Sequence, residues 1–316
     1  MSQQIIEKMK IWKLLYSLVI IFAATLITFG SYQRADAQQK AFKSPEESVK
    51  SLMEAVKAND TKGMLVIFGP AGKEIISSGD KVQDKAAGER FVKAYETMNK
   101  LEKETDSKMT LVVGEEEWPF PVPIVKKGES WIFDTLAGKE ELINRRIGRN
   151  ELNTIQVCLA YVDAQREYAR MDPDNDHLRE YAQKFGSTKG KKDGLYWQVK
   201  EGEEQSPLGL LAARAVREGY TKTSDKPEPY YGYYYRILKA QGKNAAGGAY
   251  DYVVKGKMIG GFALVAYPAE YGSSGVMTFI VNHDGVVYEK DLGAETAKIA
   301  SAMTKFDPDQ TWKKAE

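Results

Sequence analysis

The residues with the clearest chemical potential are four carboxylates that follow a predicted helix. Asp172, Asp174 and Asp176 alternate along the chain, and Glu180 comes shortly afterwards. Calcium takes about six to eight hard oxygen ligands, which alternate carboxylates on a tight turn and a later Glu can supply. The EF-hand pattern, however, requires Gly where this chain has His177. Two interpretations stay open: a calcium site formed by Asp172, Asp174, Asp176 and Glu180, or an Asp-rich turn whose side chains bond the backbone.

Nucleophilic catalysis has few candidate residues. Cys158 is the single cysteine, and the two histidines, His177 and His283, lie outside its predicted helix. We therefore expect Cys158 to be a core residue, and one cysteine excludes both an internal disulfide and a zinc site built on several thiolates. The segment at 272–275 (GSSG) is not a nucleophile elbow, because Val276 stands where G-x-S-x-G requires Gly. We predict no catalytic residue and no bound cofactor apart from calcium, while catalysis by dispersed Asp and Glu stays open.

Two groups of aromatic residues could contact a ligand. Trp118, Phe120, Trp131 and Phe133 could line a pocket, although aromatic residues at a spacing of two more often form a core. The tyrosines at 230, 231, 233, 234 and 235 could stack on a sugar or a peptide. Alternation along a strand turns half of them towards the core, which disfavours a dedicated aromatic platform.

A long helix and a set of strands must position the acidic loop. Residues 139–147 predict a short helical connector that Gly148 breaks, and Asn150 is placed to cap the long helix. Its predicted buried stripe is Leu152, Ile155, Leu159, Val162 and Ala169. From residue 231 onward, five strands separated by Gly-rich turns predict an antiparallel meander (231–238, 249–254, 261–267, 276–281 and 285–289). A helix followed by such a meander indicates an α+β module over residues 139–316.

Residues 38–138 predict another α+β module. Ser44 is placed as the N-cap of a first helix, and Asp60 can cap a second, shorter helix. A third helix is expected over 85–104. The spacing of apolar residues then changes to two, which predicts strands over 109–113, 118–125 and 131–135.

The first 37 residues have the three parts of a secretory signal. Lysines precede an apolar run at 14–29, and a small-x-small site ends at Ala37, where cleavage is expected. The alternative is an uncleaved anchor helix, but the run is shorter than the roughly 20 residues that span a bilayer. We therefore predict a periplasmic or secreted protein that contacts the membrane through the signal segment before cleavage.

The charge balance excludes one class of partner. The 316 residues contain 45 Lys and Arg against 44 Asp and Glu, for a formal net charge of +1. Nucleic-acid binding by phosphate neutralisation needs a surplus of basic residues, so nucleic acid is not an expected partner. The expected partner is an envelope protein or a small ligand.

The order of elements resembles two known folds. The helices followed by a curved antiparallel sheet ending in SWIFDT resemble the cystatin-like, nuclear-transport-factor-like cone. A second set of segments resembles the globular domains of type IV pilins and type II secretion pseudopilins: the long helix NELNTIQVCLAYVDAQREYA, the acidic loop, the GYYYRIL strand and the FALVAYPAEYGSSGVMTFIVNHDGVVY hairpin. Some pseudopilins bind calcium, but pilins begin with a hydrophobic half-helix that is continuous with the globular helix. An entire module precedes the helix here, so polymerisation through that half-helix is not implied.

Four sequence blocks follow one another along the chain: WPFPVPIVKKGESWIFDT, NRRIGRNELNTIQVCLAYVDAQREYA, KKDGLYWQVKEGEEQSPLGLL and GGFALVAYPAEYG. As a set they resemble the bacterial family catalogued as domain of unknown function 2950. The resemblance implies an exported protein of Gram-negative type bacteria and transfers no catalytic residue. We therefore expect a non-catalytic binding or assembly factor of the cell envelope. The alternative is a ligand-binding or hydrolytic cone whose pocket holds Trp118, Trp131 and a dispersed acid.

Overall fold

The computed structural model describes residues 39–200, 202–220 and 227–315. The predicted signal segment lies outside the described residues. Helices and antiparallel sheets make up the described chain, so the predicted α+β class is confirmed. Within these ranges no helix is long and apolar enough to span a membrane.

Seven α-helices and fourteen strands are found in the described ranges. The helices are α1 (Pro45–Lys57), α2 (Thr61–Phe68), α3 (Lys73–Ile76), α4 (Lys81–Thr97), α5 (Thr135–Met171), α6 (Gly209–Arg217) and α7 (Thr296–Ala302). The first five strands are β1 (Asn99–Thr105), β2 (Lys108–Val113), β3 (Trp118–Pro119), β4 (Ile124–Lys127) and β5 (Ser130–Phe133). The others are β6 (Tyr233–Leu238), β7 (Ala240–Gln241), β8 (Tyr250–Asp251), β9 (Val253–Val254), β10 (Lys257–Met258), β11 (Ala263–Pro268), β12 (Met277–Asn282), β13 (Val287–Asp291) and β14 (Lys313–Lys314).

The chain divides into two compact units. One contains the described residues up to Ile76 together with Phe91–Lys139, and the other contains Ser77–Arg90 and the described residues from Glu140 onward. Residues 77–90, which the sequence places in the first module, therefore group with the second unit.

In the first unit, α1 and α2 pack against an antiparallel sheet. Its strand order is β1-β2-β4-β5, and β3 pairs with β2. The predicted caps are confirmed: Ser44 Oγ accepts a hydrogen bond from the Glu47 amide at 3.2 Å, and Asp60 Oδ1 accepts one from the Gly63 amide at 3.0 Å. The local sequence therefore determines where both helices begin.

The predicted C-terminal end of the third helix, at residue 104, is wrong. Helix α4 stops at Thr97, and β1 begins at Asn99 and pairs antiparallel with β2. The Asn99 side chain donates to the Tyr95 carbonyl at 3.0 Å, which satisfies an acceptor at the helix end. The apolar residues beyond Thr97 still have helical spacing, but this segment pairs with β2 instead. The spacing alone does not reveal that tertiary pairing.

The second unit is built on a five-stranded antiparallel sheet in the order β14-β13-β12-β11-β6. The predicted meander strands at 231–238, 261–267, 276–281 and 285–289 correspond to β6, β11, β12 and β13, with ends shifted by two residues or fewer. The segment 249–254 instead forms two short strands, β8 and β9. The largest fully buried side chains of this core are Tyr161, Leu195, Tyr233, Leu238, Tyr252, Met258, Phe262 and Phe279.

The predicted break between the connector at 139–147 and the long helix is wrong. Helix α5 is continuous from Thr135 to Met171, so Gly148 does not break it and Asn150 does not cap it. A glycine inside a helix costs only about 1 kcal/mol relative to alanine, which a long helix tolerates. Asn150 is fully buried, and its side-chain amide donates to the Ser274 carbonyl at 2.8 Å. This long-range bond explains an asparagine inside the helix.

The predicted buried stripe of α5 is also partly wrong. Leu152 is 63% exposed and Leu159 is 36% exposed. Val162 and Ala169 are buried as predicted, and the buried face also carries Thr154, Cys158, Tyr161 and Gln165. Gln165 can be buried because its amide bonds both the Tyr161 hydroxyl and the Ala182 backbone. The buried face therefore overlaps the predicted stripe only in part, and it includes polar side chains that have hydrogen-bond partners.

Candidate functional site

The acidic loop begins directly after α5, where Asp172 adopts a positive φ of 46°. One carboxylate oxygen from each of Asp172, Asp174 and Asp176 lies within 4.8 Å of the others. Two of these side chains also bond the loop backbone: Asp172 Oδ2 accepts from the His177 amide at 3.0 Å, and Asp176 Oδ1 accepts from the Leu178 amide at 2.8 Å. The loop thus combines clustered carboxylates with the backbone bonds of an Asp-rich turn.

Lys257 is the residue that joins Glu180 to this loop. Its Nζ lies 3.3 Å from Asp174 Oδ2 and 3.3 Å from Glu180 Oε1, and it also pairs with Asp176. The three carboxylates raise the pKa of Lys257, most strongly through the hydrogen bond with Asp176, and that same bond lowers the pKa of Asp176. Lys257 supplies positive charge to the cluster, and no spacing in the sequence connects it with residues about eighty positions earlier.

The donor set suits a hard cation. All four predicted ligands offer carboxylate oxygens, the type that Ca²⁺ prefers. Asp172 Oδ1 is buried and has no hydrogen-bond partner within the described residues. A bound calcium ion would replace the Lys257 ammonium as the charge that holds Asp174, Asp176 and Glu180 together. The three Asp carboxylates therefore suit calcium, whereas Glu180 lies outside their cluster and is joined to it through Lys257.

Cys158 is a core residue, as expected. It is fully buried on α5, and burial raises its pKa to about 12. Since the thiolate is the reactive form of cysteine, the side chain is unreactive in the folded protein.

The serines of the GSSG segment have structural partners. Ser274 Oγ donates to the Glu270 carbonyl at 3.1 Å and accepts from the Glu270 amide at 2.9 Å. Ser273 Oγ lies 3.3 Å from Arg146 Nη1. Hydrogen bonds of this kind fix the loop and do not remove a proton from either hydroxyl.

Asp80 is a buried carboxylate that sequence reasoning missed. Its Oδ1 accepts from the amides of Val82 and Gln83 at 3.1 and 3.0 Å, which caps the start of α4. Its Oδ2 accepts from the Tyr220 hydroxyl at 2.8 Å and from the Gly232 amide at 2.9 Å. Asp80 is 1% exposed, so these four bonds compensate for burial of its charge. The one local signal is an Asp shortly before a helix, which predicts a cap but not the two distant donors.

The tyrosine segment contributes more to packing than to an open platform. Tyr233 is fully buried and donates to the Met277 carbonyl at 2.9 Å. The rings of Tyr230 and Tyr231 contact each other at a tilt of 38° with centroids 4.2 Å apart, and the Tyr231 hydroxyl donates to Glu218. The buried and paired rings agree with the interpretation that disfavours an aromatic platform.

In the first unit, the aromatic residues pack against each other. Phe120 and Phe133 are buried, and their ring centroids lie 5.1 Å from that of Phe91 and 5.2 Å from that of Phe68, respectively. The Trp118 ring lies 6.1 Å from that of Phe120. These edge and tilted contacts are typical of an aromatic core.

An open groove of about 450 Å³ runs along α5 in the second unit. Leu152, Ile155 and Leu159 line one side, and Val287 and Ala315 lie on the other. The exposed leucines of the predicted stripe therefore line one groove, together with the polar side chains of Asn153, Gln156 and Lys314.

Comparison with known proteins identifies a family. The family model described as "Protein of unknown function (DUF2950)" matches residues 39–315. The chain belongs to this family. No curated protein and no solved structure matches it. Membership in DUF2950 confirms the resemblance of the four sequence blocks, and it assigns no activity to any residue.

Proposed function

We propose that the protein is exported and acts in the cell envelope by binding or assembly, without catalysis. Export is supported by the basic, apolar and small-x-small parts of residues 1–37, with cleavage after Ala37. Since the single cysteine cannot form an internal disulfide, the hydrophobic cores of the two units must stabilise the exported chain.

The observation that carries the binding proposal is the apolar groove along α5. Leu152 is 63% exposed, although burying a leucine side chain contributes roughly 1.5–3 kcal/mol. Contiguous exposed apolar surface, unlike scattered single residues, is typical of interaction sites. We therefore propose that the face formed by Leu152, Ile155 and Leu159 contacts a partner protein of the envelope.

The surroundings of the potential nucleophiles support a binding function over a catalytic one. Cys158 is buried with a raised pKa, and Ser273 and Ser274 are held by structural hydrogen bonds. The packed rings of Phe120 and Phe133 support the core interpretation of the first-module aromatic residues over the hydrolytic pocket.

We also propose that the first unit is a cystatin-like cone and that the second unit is pilin-like. Helices packed on an antiparallel sheet support the former. The long α5, followed by the antiparallel β6 and β11–β13, supports the latter. An experimental structure in which either unit had a different strand connectivity would contradict the resemblance.

For the acidic loop we propose that Asp172, Asp174, Asp176 and Glu180 bind a calcium ion. The support is the proximity of the three Asp oxygens and the unpartnered Asp172 Oδ1. Calorimetric titration of Ca²⁺ into the wild type and Asp174→Ala tests it. Heat in the wild type that the variant loses is expected, and absence of heat in the wild type would end the calcium proposal.

Two measurements test the envelope proposal. Mass spectrometry of the cellular protein is expected to find Gln38 as the first residue in the envelope fraction, whereas an intact Met1 in the cytoplasm would contradict export. A photo-reactive amino acid at Leu152 is expected to crosslink to one discrete envelope protein. The matched control is Asp163, which is exposed on the same helix. Equal labelling from the two positions, or none from Leu152, would contradict a docking face at the groove.

A further inference from the structure

Strand β6 is an outer strand of the five-stranded sheet, and part of its outer side is unpaired. On its inner side β6 pairs with β11, and next to it the Ala269 amide donates to the Gly232 carbonyl at 2.9 Å. Bonding alternates along an antiparallel pair, so every second residue counted from Gly232 bonds β11. Tyr235 and Ile237 therefore turn their backbone N–H and C=O groups to the outer side.

The two outward-facing residues lie between two segments that cover the ends of this side. At one end, Tyr230 and Tyr233 exchange backbone hydrogen bonds of 2.9 and 3.1 Å. At the other end, the Tyr252 amide donates to the Lys239 carbonyl at 2.8 Å. Among the described residues, no group bonds the outward N–H and C=O groups between these ends. Buried backbone groups are almost always paired, so this gap in the sheet edge is open to water.

Arg236 lies between the two outward-facing residues and carries a charge that no carboxylate compensates. Its Nη2 donates to the Ala300 carbonyl at 2.8 Å and to the Met303 carbonyl, where α7 ends. Its Nε is buried and has no hydrogen-bond partner in the part of the chain that the structure describes. Within the same residues, no Asp or Glu forms an ion pair with it. Its charge therefore favours an acidic residue on an adjacent strand.

A second copy of this chain does not suit the gap. Pairing of β6 with β6 around a two-fold axis at Arg236 would join Tyr235 of each copy to Ile237 of the other. The same pairing would place the two Arg236 side chains directly opposite each other, and like charges in that position are destabilising. A strand from another protein avoids this repulsion and can supply the missing negative charge.

We propose that the gap binds a short extended segment of another protein, with an acidic residue between two apolar ones, as an added strand antiparallel to β6. The two apolar residues exchange backbone hydrogen bonds with Tyr235 and Ile237, the source of affinity in strand addition. Their side chains extend the face on which Tyr235 and Ile237 pack against the core. The acidic side chain lies opposite Arg236. The inference goes beyond the proposed function, because it concerns a surface other than the groove along α5.

Nuclear magnetic resonance of the purified, isotope-labelled protein with the peptide acetyl-Thr-Val-Glu-Val-Thr-amide tests this site. Saturable shifts of the Tyr235 and Ile237 amide signals are expected. Lys in place of the central Glu should weaken binding about tenfold, because an attractive cross-strand pair becomes a repulsive one. N-methylation of either Val should weaken binding at least as much, since it removes a donor to β6. N-methylation of the Glu is the matched control, because that amide points away from β6.

Arg236→Gln should bind the Glu and Lys peptides with similar affinity. Arg170→Gln is the matched protein control, because it also removes an arginine that donates to a backbone carbonyl, and it should keep the tenfold preference. The peptide changes test the wild-type protein, so they remain decisive if Arg236→Gln does not fold.

Three results with the wild type would each overturn the proposal: no saturable shift at Tyr235 and Ile237, equal affinity for the Glu and Lys peptides, or unchanged binding of a Val-methylated peptide. Analytical ultracentrifugation tests the other occupant. A dimer that forms with rising concentration and shifts the Tyr235 and Ile237 amide signals without peptide would assign the gap to a second copy and overturn the proposal as well.

Discussion

Replacing Asp80 with alanine removes the carboxylate that connects residues 77–90 to two distant parts of the second unit. The cap bonds to Val82 and Gln83 contribute about 1 kcal/mol in typical helices. The bonds to the Tyr220 hydroxyl and the Gly232 amide involve a charged acceptor, and each contributes about 1.5–3 kcal/mol. Tyr220 is partly exposed, so water can satisfy its hydroxyl in the variant. We therefore expect Asp80→Ala to lower the free energy of unfolding by about 4 kcal/mol.

Asp60→Ala is the matched control, because Asp60 caps α2 through the Gly63 amide without a long-range partner. Its expected cost is about 1 kcal/mol. Two units can unfold separately, so urea titration should be combined with hydrogen exchange of amides in each unit. Loss of protection in the second unit is expected for Asp80→Ala. If Asp80→Ala costs no more than Asp60→Ala, Asp80 is only a helix cap and its bonds to Tyr220 and Gly232 do not stabilise the fold.

Three further predictions concern titratable groups of the second unit. Because burial raises the Cys158 pKa to about 12, iodoacetamide should label this thiol only in unfolded protein, and rapid labelling of the native state would contradict its burial. Burial also raises the pKa of Asp84, so the folded state holds that proton more tightly and stability falls as pH rises from about 4. Asp84→Asn should flatten that decline in urea titrations at several pH values, and an unchanged slope would refute the assignment. Lys257→Met should bind Ca²⁺ more tightly in calorimetry than Lys255→Met, an exposed control on the same hairpin, and equal affinities would show that Lys257 does not compete for the loop.

The sequence predicts a helix start correctly where the deciding hydrogen bond joins residues that are close together in the chain. Ser44 and Asp60 each bond an amide three residues ahead, so the helix starts they predict are found in the structure. The end of α4 is different, because β1 competes through pairing with β2. Residues 99–105 could not be assigned to a strand without knowing that partner.

The candidate sites show the same limit. The acidic loop is contiguous in sequence, and its three Asp residues do come together. Lys257 reaches the loop because the Tyr181 amide bonds the Met258 carbonyl at 2.8 Å, a pairing between segments far apart in the chain. Spacing rules detect ligands that share one segment and miss a residue supplied by another.

Helix α5 shows why hydrophobic spacing predicts its buried face only in part. Its buried face includes Thr154 and Gln165, whose burial is compensated by bonds within the second unit. Leu152 and Leu159 lie on the open side, where they are 63% and 36% exposed. A helix with only structural constraints would bury its leucines and expose its polar residues. The exposure of Leu152 and Leu159 is understandable if they contact a partner, which is why the groove, and not the composition of the chain, supports a binding function.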